Sequence, residues 1–213
     1  MNSVFSRRLA HAVNSAAKLQ GGSRGFLLPS LPSFSTKKVY NDTGIFKYTR
    51  EQIFDVVADV EKYHKFVPMC LASTVLSNTR RTVPALILGD ADSQSFDAEL
   101  VIGYPPLQER YTSLVRLDKP WRIVATAAPG GGIFKHMKTV WELSQPDGSS
   151  AVAGLPKSAF VSNSSSPSTL VHFSIEFEFA SVLHAQAASL AFEKVAQSTL
   201  TAYQTRCQKL YGH

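Results

Sequence analysis

The C-terminal part of the chain changes once from a strand-like to a helical hydrophobic period. Residues 171–179 alternate large apolar side chains with polar ones, which predicts a strand with one buried face. Residues 181–211 contain neither proline nor glycine, and their period predicts one helix roughly 45 Å long. The apolar face of the strand consists of Val171, Phe173, Ile175, Phe177 and Phe179. The stripe of the helix that is predicted to face inward consists of Ala188, Phe192, Val195, Thr199, Ala202, Tyr203 and Leu210. So much bulk on one strand face requires a deep concave interior.

The region before this strand begins with a predicted strand and two helical pieces. Residues 39–47 read as the strand, and Thr49 is the expected N-cap of the first helix. The apolar residues predicted on that helix are Ile53, Phe54, Val56, Val57 and Val60. Pro68 closes the second, shorter piece, because proline disfavours a helical conformation in the residue before it.

Period-two patterns then predict a run of antiparallel strands. They fall at residues 96–104, 111–117, 121–127 and 139–143. Together with the flanking helices they give an α+β domain, in which a curved sheet of about six to seven strands wraps around the C-terminal helix and encloses a cavity. Two stretches, at 80–93 and 145–168, are predicted as insertions between strands.

The positive charge of the chain is concentrated at its N-terminus. Residues 1–38 contain six basic residues and no acid, so the 22 basic residues of the whole chain leave 16 for the body against 16 acidic ones. A formally neutral body argues against nucleic-acid binding. The leader is rich in Ser and Ala, with apolar residues opposite Arg7, Arg8 and Lys18 on a helix. These features predict a mitochondrial transit peptide, basic and disordered, although a disordered basic tail and plastid import remain alternatives.

The sequence contains no recognisable motif for catalysis, metal binding or membrane spanning. No stretch of about 18 uncharged apolar residues occurs, so any membrane contact is expected to be peripheral. Cys70 and Cys207 lie far apart without a CxxC motif or a clustered set of His, so neither a disulfide framework nor a zinc site is expected. The glycine-rich residues 129–138 lack the GK[ST] ending of a phosphate-binding loop.

Five segments, in order along the chain, resemble the coenzyme Q-binding protein family. They read EKYHKFVPMC (61–70), IGYPPLQERYTS (102–113), GGIFKHMKTVWEL (131–143), STLVHFSIEFEF (168–179) and CQKLYG (207–212). This family is part of the START-like superfamily of polyketide cyclases and lipid transport proteins. The resemblance covers residues 39–212, and the two insertions depart from the shorter family pattern.

The resemblance implies a START-like helix-grip domain at residues 39–213 that binds ubiquinone or its polyprenylated precursors. It also implies a peripheral position on the matrix side of the mitochondrial inner membrane. Expected partners include quinone biosynthesis enzymes and respiratory complexes. No cofactor other than the bound quinone is expected. The protein would act as a carrier that supports respiration and quinone biosynthesis, rather than as an enzyme.

Aromatic and apolar residues on the inner side of this fold are the predicted ligand site. Flat rings suit a quinone, which stacks on them without needing charge, although each residue could equally be plain core. The predicted ligand-binding residues are Phe66, Val67, Pro68, Tyr104, Pro105, Tyr111, Trp141, Phe173, Ile175, Phe177, Phe192, Val195 and Tyr203. The polar groups predicted to orient quinone carbonyls are Tyr104, Tyr111, Tyr203 and Arg206, and Arg206 could instead pair with an acid.

The run 129–138 is predicted to join two strands as a flexible membrane gate. Its apolar residues would insert toward lipid while its cations meet anionic headgroups, with a solvated hairpin as the alternative. The predicted gate residues are Ile133, Phe134, Lys135, Met137 and Lys138, with His136 among the cations.

Two other functions stay open at this point. Relatives with this fold include aromatases and cyclases, so an enzyme acting on an aromatic or polyketide-like substrate in the same cavity is the main alternative. A protein-interaction module is the third, because a related bacterial branch is described as a ribosome-associated toxin.

Overall fold

One antiparallel sheet of eight strands carries a long helix across one face. The computed structural model describes residues 35–84, 93–104, 107–130, 132, 134–146 and 167–212. The strands are β1 Lys37–Phe46, β2 Cys70–Val75, β3 Arg81–Val83, β4 Ser93–Tyr104, β5 Leu107–Asp118, β6 Arg122–Ala127, β7 Phe134–Ser144 and β8 Thr169–Phe179. The helices are α1 Arg50–Ala58, a 3₁₀-helix Val60–Lys65, and α2 Val182–Tyr211.

The strand order is β1-β8-β7-β6-β5-β4-β2, with β3 pairing to β4 outside this path. The predicted α+β architecture, a curved sheet around a C-terminal helix, is confirmed. The prediction of six to seven strands was too low, because β3 forms within residues predicted as an insertion. The second predicted insertion does fall between neighbouring strands, since β7 ends at Ser144 and β8 begins at Thr169. Residues 1–34 of the predicted leader 1–38 lie outside the described residues, as do 85–92 and 147–166, whereas its last two residues, Lys37 and Lys38, begin β1.

The first helix begins where the sequence predicts it. The Thr49 hydroxyl accepts a hydrogen bond from the Gln52 backbone N–H at 3.2 Å, while the Gln52 side chain accepts one from the Thr49 backbone N–H at 2.9 Å. This reciprocal capping box satisfies two N–H groups that a helix start leaves unpaired. Ile53 and Val57 are fully buried, so α1 closes one end of the core.

Helix α2 packs on the sheet through a stripe that shares Tyr203 with the predicted one. Among its described side chains, the buried ones are Ala185, Ala196, Leu200, Tyr203 and Cys207. Of the predicted stripe, Val195, Thr199 and Ala202 are half-buried flanks, Leu210 is 49% exposed, and the side chains of Ala188 and Phe192 lie outside the described residues. The helix comes close to β1, where a Cβ on Gly44 would lie 3.4 Å from Leu200 Cδ2. Gly44 thus leaves room for the Leu200 side chain at this crossing.

Strand β7 is longer than predicted. Residues 134–138 were expected in a loop, but they form the first half of β7, which starts at Phe134. A register shift between Phe134 and His136 places one extra residue in the strand. Because a bulge interrupts the two-residue period, the alternation that identifies a strand is lost at this point in the sequence.

Candidate ligand-binding site on the inner face of the sheet

The inner face of the sheet, which faces α2, has a closed half built from stacked aromatic rings. Trp141 on β7 lies 4.6 Å from Phe173 on β8 and 4.5 Å from Tyr203 on α2, measured between ring centroids. All three side chains are at most 3% exposed. Tyr63 and Phe66 extend the cluster, because each meets the Tyr203 ring edge-on, at 5.6 and 5.1 Å. In this half the chain's own side chains fill the space between helix and sheet.

The other part of the inner face remains accessible, and we call it the open half. It consists of Ala125, Ala127, Met137, Thr139 and Ile175, each of which is only half-buried. They lie on the same face as the closed half. Thr139 pairs with Ile175 and with Ala125, and it lies two residues before Trp141, which pairs with Phe173. Residues two apart on a strand point to the same side of the sheet. The chain therefore covers this part of the inner face only partly.

Small side chains form the floor of this space. Ala98 on β4 pairs with Ser113 on β5, and Ser113 pairs with Ala127 on β6. Ala125 and Thr139 follow on the same face. Four neighbouring strands therefore place an alanine, serine or threonine on this face. Ala98 and Ser113 are covered by the chain, whereas Ala125, Ala127 and Thr139 are only half-buried.

An aromatic rim borders the open half on the side away from Trp141. The Phe134 ring lies 5.6 Å from Phe177, 5.5 Å from Phe179 and 6.0 Å from Tyr111. Ala185 near the start of α2 packs against Phe177 and Phe179. The floor of small residues is thus flanked by aromatic rings at both ends, and a planar ring packs favourably against such rings.

Two tyrosine hydroxyls of the closed half already have partners inside the protein. The Tyr63 hydroxyl donates to the Val57 carbonyl in the last turn of α1 at 2.5 Å. Tyr203 donates to the Tyr63 oxygen, and burial together with the nearby Tyr63 raises the pKa of Tyr203 well above its ordinary value. Burial likewise raises the pKa of Tyr63. The role of Tyr203 in orienting a ligand stays a prediction, and it would require the hydroxyl to exchange Tyr63 for the ligand.

Tyr111 differs from these two residues. It is half-buried beside the open half, and among the described residues its hydroxyl has no hydrogen-bond partner. Burial raises the pKa of its phenol, with smaller contributions from Cys70 and Tyr63 in the same direction. The group therefore stays protonated at neutral pH and remains a free hydrogen-bond donor.

The predicted site residues separate into several groups. Ile175, Phe177 and Tyr111 line the open half or its rim, whereas Trp141, Phe173 and Tyr203 are covered core residues of the closed half. Val195 is half-buried on a flank of α2. Phe66, Val67 and Pro68 lie between the 3₁₀-helix and β2. The Arg206 guanidinium lies 5.5 Å from the centre of the Phe66 ring. Pro105 and the side chains of Tyr104 and Phe192 lie outside the described residues. Sequence reasoning missed Ala98, Ser113, Ala125, Ala127 and Thr139.

The predicted gate residues belong to strand β7 rather than to a loop. Phe134 and Met137 point inward, into the rim cluster. Lys135 lies on the outer face and pairs with Glu178 at 3.2 Å, while Lys138 is exposed on that face. Ile133 lies outside the described residues. The cations and the apolar residues of this segment thus occupy opposite faces of one strand.

The outer face behind the rim carries a small charged cluster. Lys37 contacts Glu176 at 2.9 Å, and His136 lies 3.5 Å from the same carboxylate. The hydrogen bond from Lys37 lowers the pKa of Glu176, and the charges of Lys37, His136 and Lys138 act in the same direction. Within the part of the chain that the structure describes, no helix has the length and apolar character needed to cross a bilayer, and no three potential metal ligands come together.

Comparison with known proteins identifies the family. A family model described as polyketide cyclase/dehydrase and lipid transport matches residues 46–203. The chain belongs to this family. Coenzyme Q-binding protein COQ10 homolog B of Xenopus laevis, named as mitochondrial, is 31% identical over 199 residues, which span 93% of this chain and 69% of the relative. The predicted membership in the coenzyme Q-binding proteins is therefore confirmed.

Solved structures agree on the fold. An aromatase/cyclase from Streptomyces sp. R1128 matches with a TM-score of 0.57 at 14% identity, over 81% of this chain and 94% of that protein. An 18 kDa protein from Caulobacter crescentus matches with a TM-score of 0.53 at 26% identity, over 83% of this chain and 99% of that protein. These matches confirm the helix-grip fold, and the low identity to the cyclase carries no statement about activity.

Removing one hydroxyl at a time should separate the paired tyrosines from the unpaired one. We expect Tyr203→Phe to lower the free energy of unfolding by about 1 kcal/mol, because it deletes a buried hydrogen bond. Tyr111→Phe should leave it unchanged or slightly higher, because no bond is lost. Urea unfolding at neutral pH measures both. A loss for Tyr111→Phe as large as that for Tyr203→Phe would mean that the Tyr111 hydroxyl is bonded within the protein.

Proposed function

We propose that this protein binds ubiquinone or its polyprenylated precursors over the open half and acts as a carrier at the mitochondrial inner membrane. The observation that carries the proposal is an inner face that stays accessible between two groups of aromatic rings, above a floor of alanine, serine and threonine. The name of the Xenopus relative, a coenzyme Q-binding protein, supports the choice of quinone as ligand.

The physical need for such a carrier follows from the tail of the ligand. Each buried CH₂ group contributes about 0.8 kcal/mol, so a chain of several isoprene units is held in a bilayer by tens of kcal/mol. A quinone of this kind does not cross water unaided. A protein that shelters part of the molecule between a helix and a sheet lowers that barrier.

Carrier function accounts for the described side chains better than catalysis does. The two aspartates of α1 and its C-terminal end pair with lysines, Asp55 with Lys119 at 2.9 Å and Asp59 with Lys62 at 3.8 Å. Burial raises the pKa of both Cys70 and Cys207 to about 11, so neither thiol forms a thiolate at neutral pH. The alternative, a cyclase-like enzyme, rests on the free Tyr111 hydroxyl, which would be its proton donor.

We also propose that residues 1–38 direct the chain to mitochondria and that the cations behind the rim bring the open half to an anionic membrane. The mitochondrial designation of the Xenopus relative supports the first part. The second part draws support from Lys37, Lys135 and Lys138, which outnumber Glu176 and Glu178 on the outer face.

A larger side chain on the floor of the open half should prevent quinone binding. We expect Ala125→Leu to lower the quinone recovered with the purified protein at least tenfold, because the added side chain occupies the open half. Mass spectrometry of an organic extract measures the amount, and Ala72→Leu on the exposed part of β2 is the matched control.

The same extract distinguishes a carrier from an enzyme. Quinone recovered unchanged supports the carrier, whereas conversion of an added precursor by the wild-type protein, lost in Tyr111→Phe, would support the cyclase alternative. If Ala125→Leu retained the wild-type amount of quinone, the open half would not be the binding site.

Charge reversal behind the rim should weaken membrane contact. We expect Lys138→Glu to reduce flotation with vesicles containing anionic lipid at least fivefold, since each lysine near such a surface contributes about 1 kcal/mol. Lys194→Glu, an equally exposed position on α2, changes net charge by the same amount and should have a smaller effect. Equal losses in both variants would show that net charge alone governs binding.

The leader can be tested apart from the domain. A fluorescent protein placed behind residues 1–38 should enter mitochondria, because the segment is basic, acid-free and amphipathic. Replacing Arg7 and Arg8 by glutamate in the same fusion should leave the fluorescence in the cytosol. Import that is indifferent to these charges would argue against a transit peptide.

A further inference from the structure

Three inner-face hydroxyls around the open half lack a hydrogen-bond partner among the described residues. Tyr111 and Ser113 lie two residues apart on β5, and Thr139 lies on β7. Ser113 is 3% exposed, while Tyr111 and Thr139 are half-buried. The three hydroxyls surround Ala125 and Ala127, which lie on the strand between β5 and β7.

Several other hydroxyls of the domain are paired within the chain. Tyr63 donates to the Val57 carbonyl, Tyr48 donates to the Gly212 carbonyl at 3.0 Å, and Thr169, a buried threonine on β8, donates to the Tyr48 carbonyl at 2.8 Å. A hydroxyl left without a partner in an apolar setting costs free energy, so a folded protein normally pairs it. The enclosed unpaired side-chain atoms of the described residues are Ser95 Oγ, Asp118 Oδ2 and Arg122 Nε, and none of the three hydroxyls around the open half is among them. Each of these three hydroxyls can therefore still reach a partner from outside the chain.

The three hydroxyls require a ligand that carries hydrogen-bond acceptors. A polyprenyl tail has no oxygen and would leave all three hydroxyls unpaired. A benzoquinone ring presents carbonyl oxygens, and a methoxy-substituted ring presents more acceptors around its edge. Thr139 lies in the row of Val115, two strands away from Tyr111 and four residues further along, so roughly 16 Å separates the two backbones. A ring with its substituents therefore fits between the two side chains, with the longer Tyr111 side chain covering most of the distance.

Resting on the function proposed above, we infer that the oxygen-bearing ring, not the tail, occupies the open half, and that Tyr111, Ser113 and Thr139 select rings rich in acceptor oxygens. The tail then leaves past the rim formed by Phe134, Phe177 and Phe179. In this orientation the flat ring lies on the floor of small residues, and the hydroxyls donate hydrogen bonds to the oxygens of its substituents.

Two short-tailed quinones test this inference. One is a decyl benzoquinone with two methoxy groups, and the other carries methyl groups in their place, so that the tails are identical. Quenching of tryptophan fluorescence gives Kd for each. The wild-type protein should bind the dimethoxy compound roughly tenfold more tightly, the change expected when an acceptor is lost opposite a hydroxyl.

Single hydroxyl deletions assign the contacts. Thr139→Val, which keeps the shape of the side chain, should bring the two Kd values together. Tyr111→Phe should weaken binding of both compounds roughly five- to tenfold. Tyr48→Phe is the matched control, because its hydroxyl is paired with the Gly212 carbonyl away from the open half, and both Kd values should stay at the wild-type level.

The outcomes separate the two proposals. If both quinones bind equally well and neither Thr139→Val nor Tyr111→Phe changes Kd, the protein binds quinone by its tail and the inferred orientation is wrong. If the wild-type protein binds neither compound, quinone binding itself is overturned, and the orientation with it.

Discussion

The stacking of Trp141 between Phe173 and Tyr203 sets the geometry of the whole interior. These rings determine how far α2 stands above the sheet at one end, and Ala185 on Phe177 and Phe179 determines it near the other. Between the two contacts the inner face carries the small residues Ala125, Ala127 and Thr139 beside Met137 and Ile175. The space above the open half therefore follows from rings that act as spacers, and shortening the rings would let the helix settle onto the alanines.

Much of the fold is encoded in local patterns that the sequence displays directly. The Thr49 cap, the strict alternation of β8 and the uninterrupted helical period of α2 all depend on residues close together in the chain. Two features depend on distant contacts and were mispredicted. The bulge in β7 hides the alternation of that strand, and the buried stripe of α2 includes Ala196 and Cys207, which a search for large apolar residues passes over.

The candidate site was harder to predict than the fold for a physical reason. Aromatic residues of the inner face are visible in the sequence, but only the placement of α2 decides which rings it covers and which it leaves accessible. The floor is recognised by the small size of its side chains. Ala98, Ser113 and Ala127 acquire meaning only when three strands are set in register, and no single strand reveals that their small side chains lie side by side.

The position of β1 at the edge of the sheet has a consequence for how the chain reaches its native state. Its only strand partner in the described sheet is β8, and contacts such as that between Thr43 and His172 join residues 129 positions apart. Contacts of such long sequence separation slow folding, because the entropy of closing the loop is lost before the pairing is gained. During synthesis the first strand must wait, with its hydrogen-bonding groups exposed, until nearly the entire polypeptide has emerged. The nascent protein is thus most vulnerable to aggregation at the end that is made first.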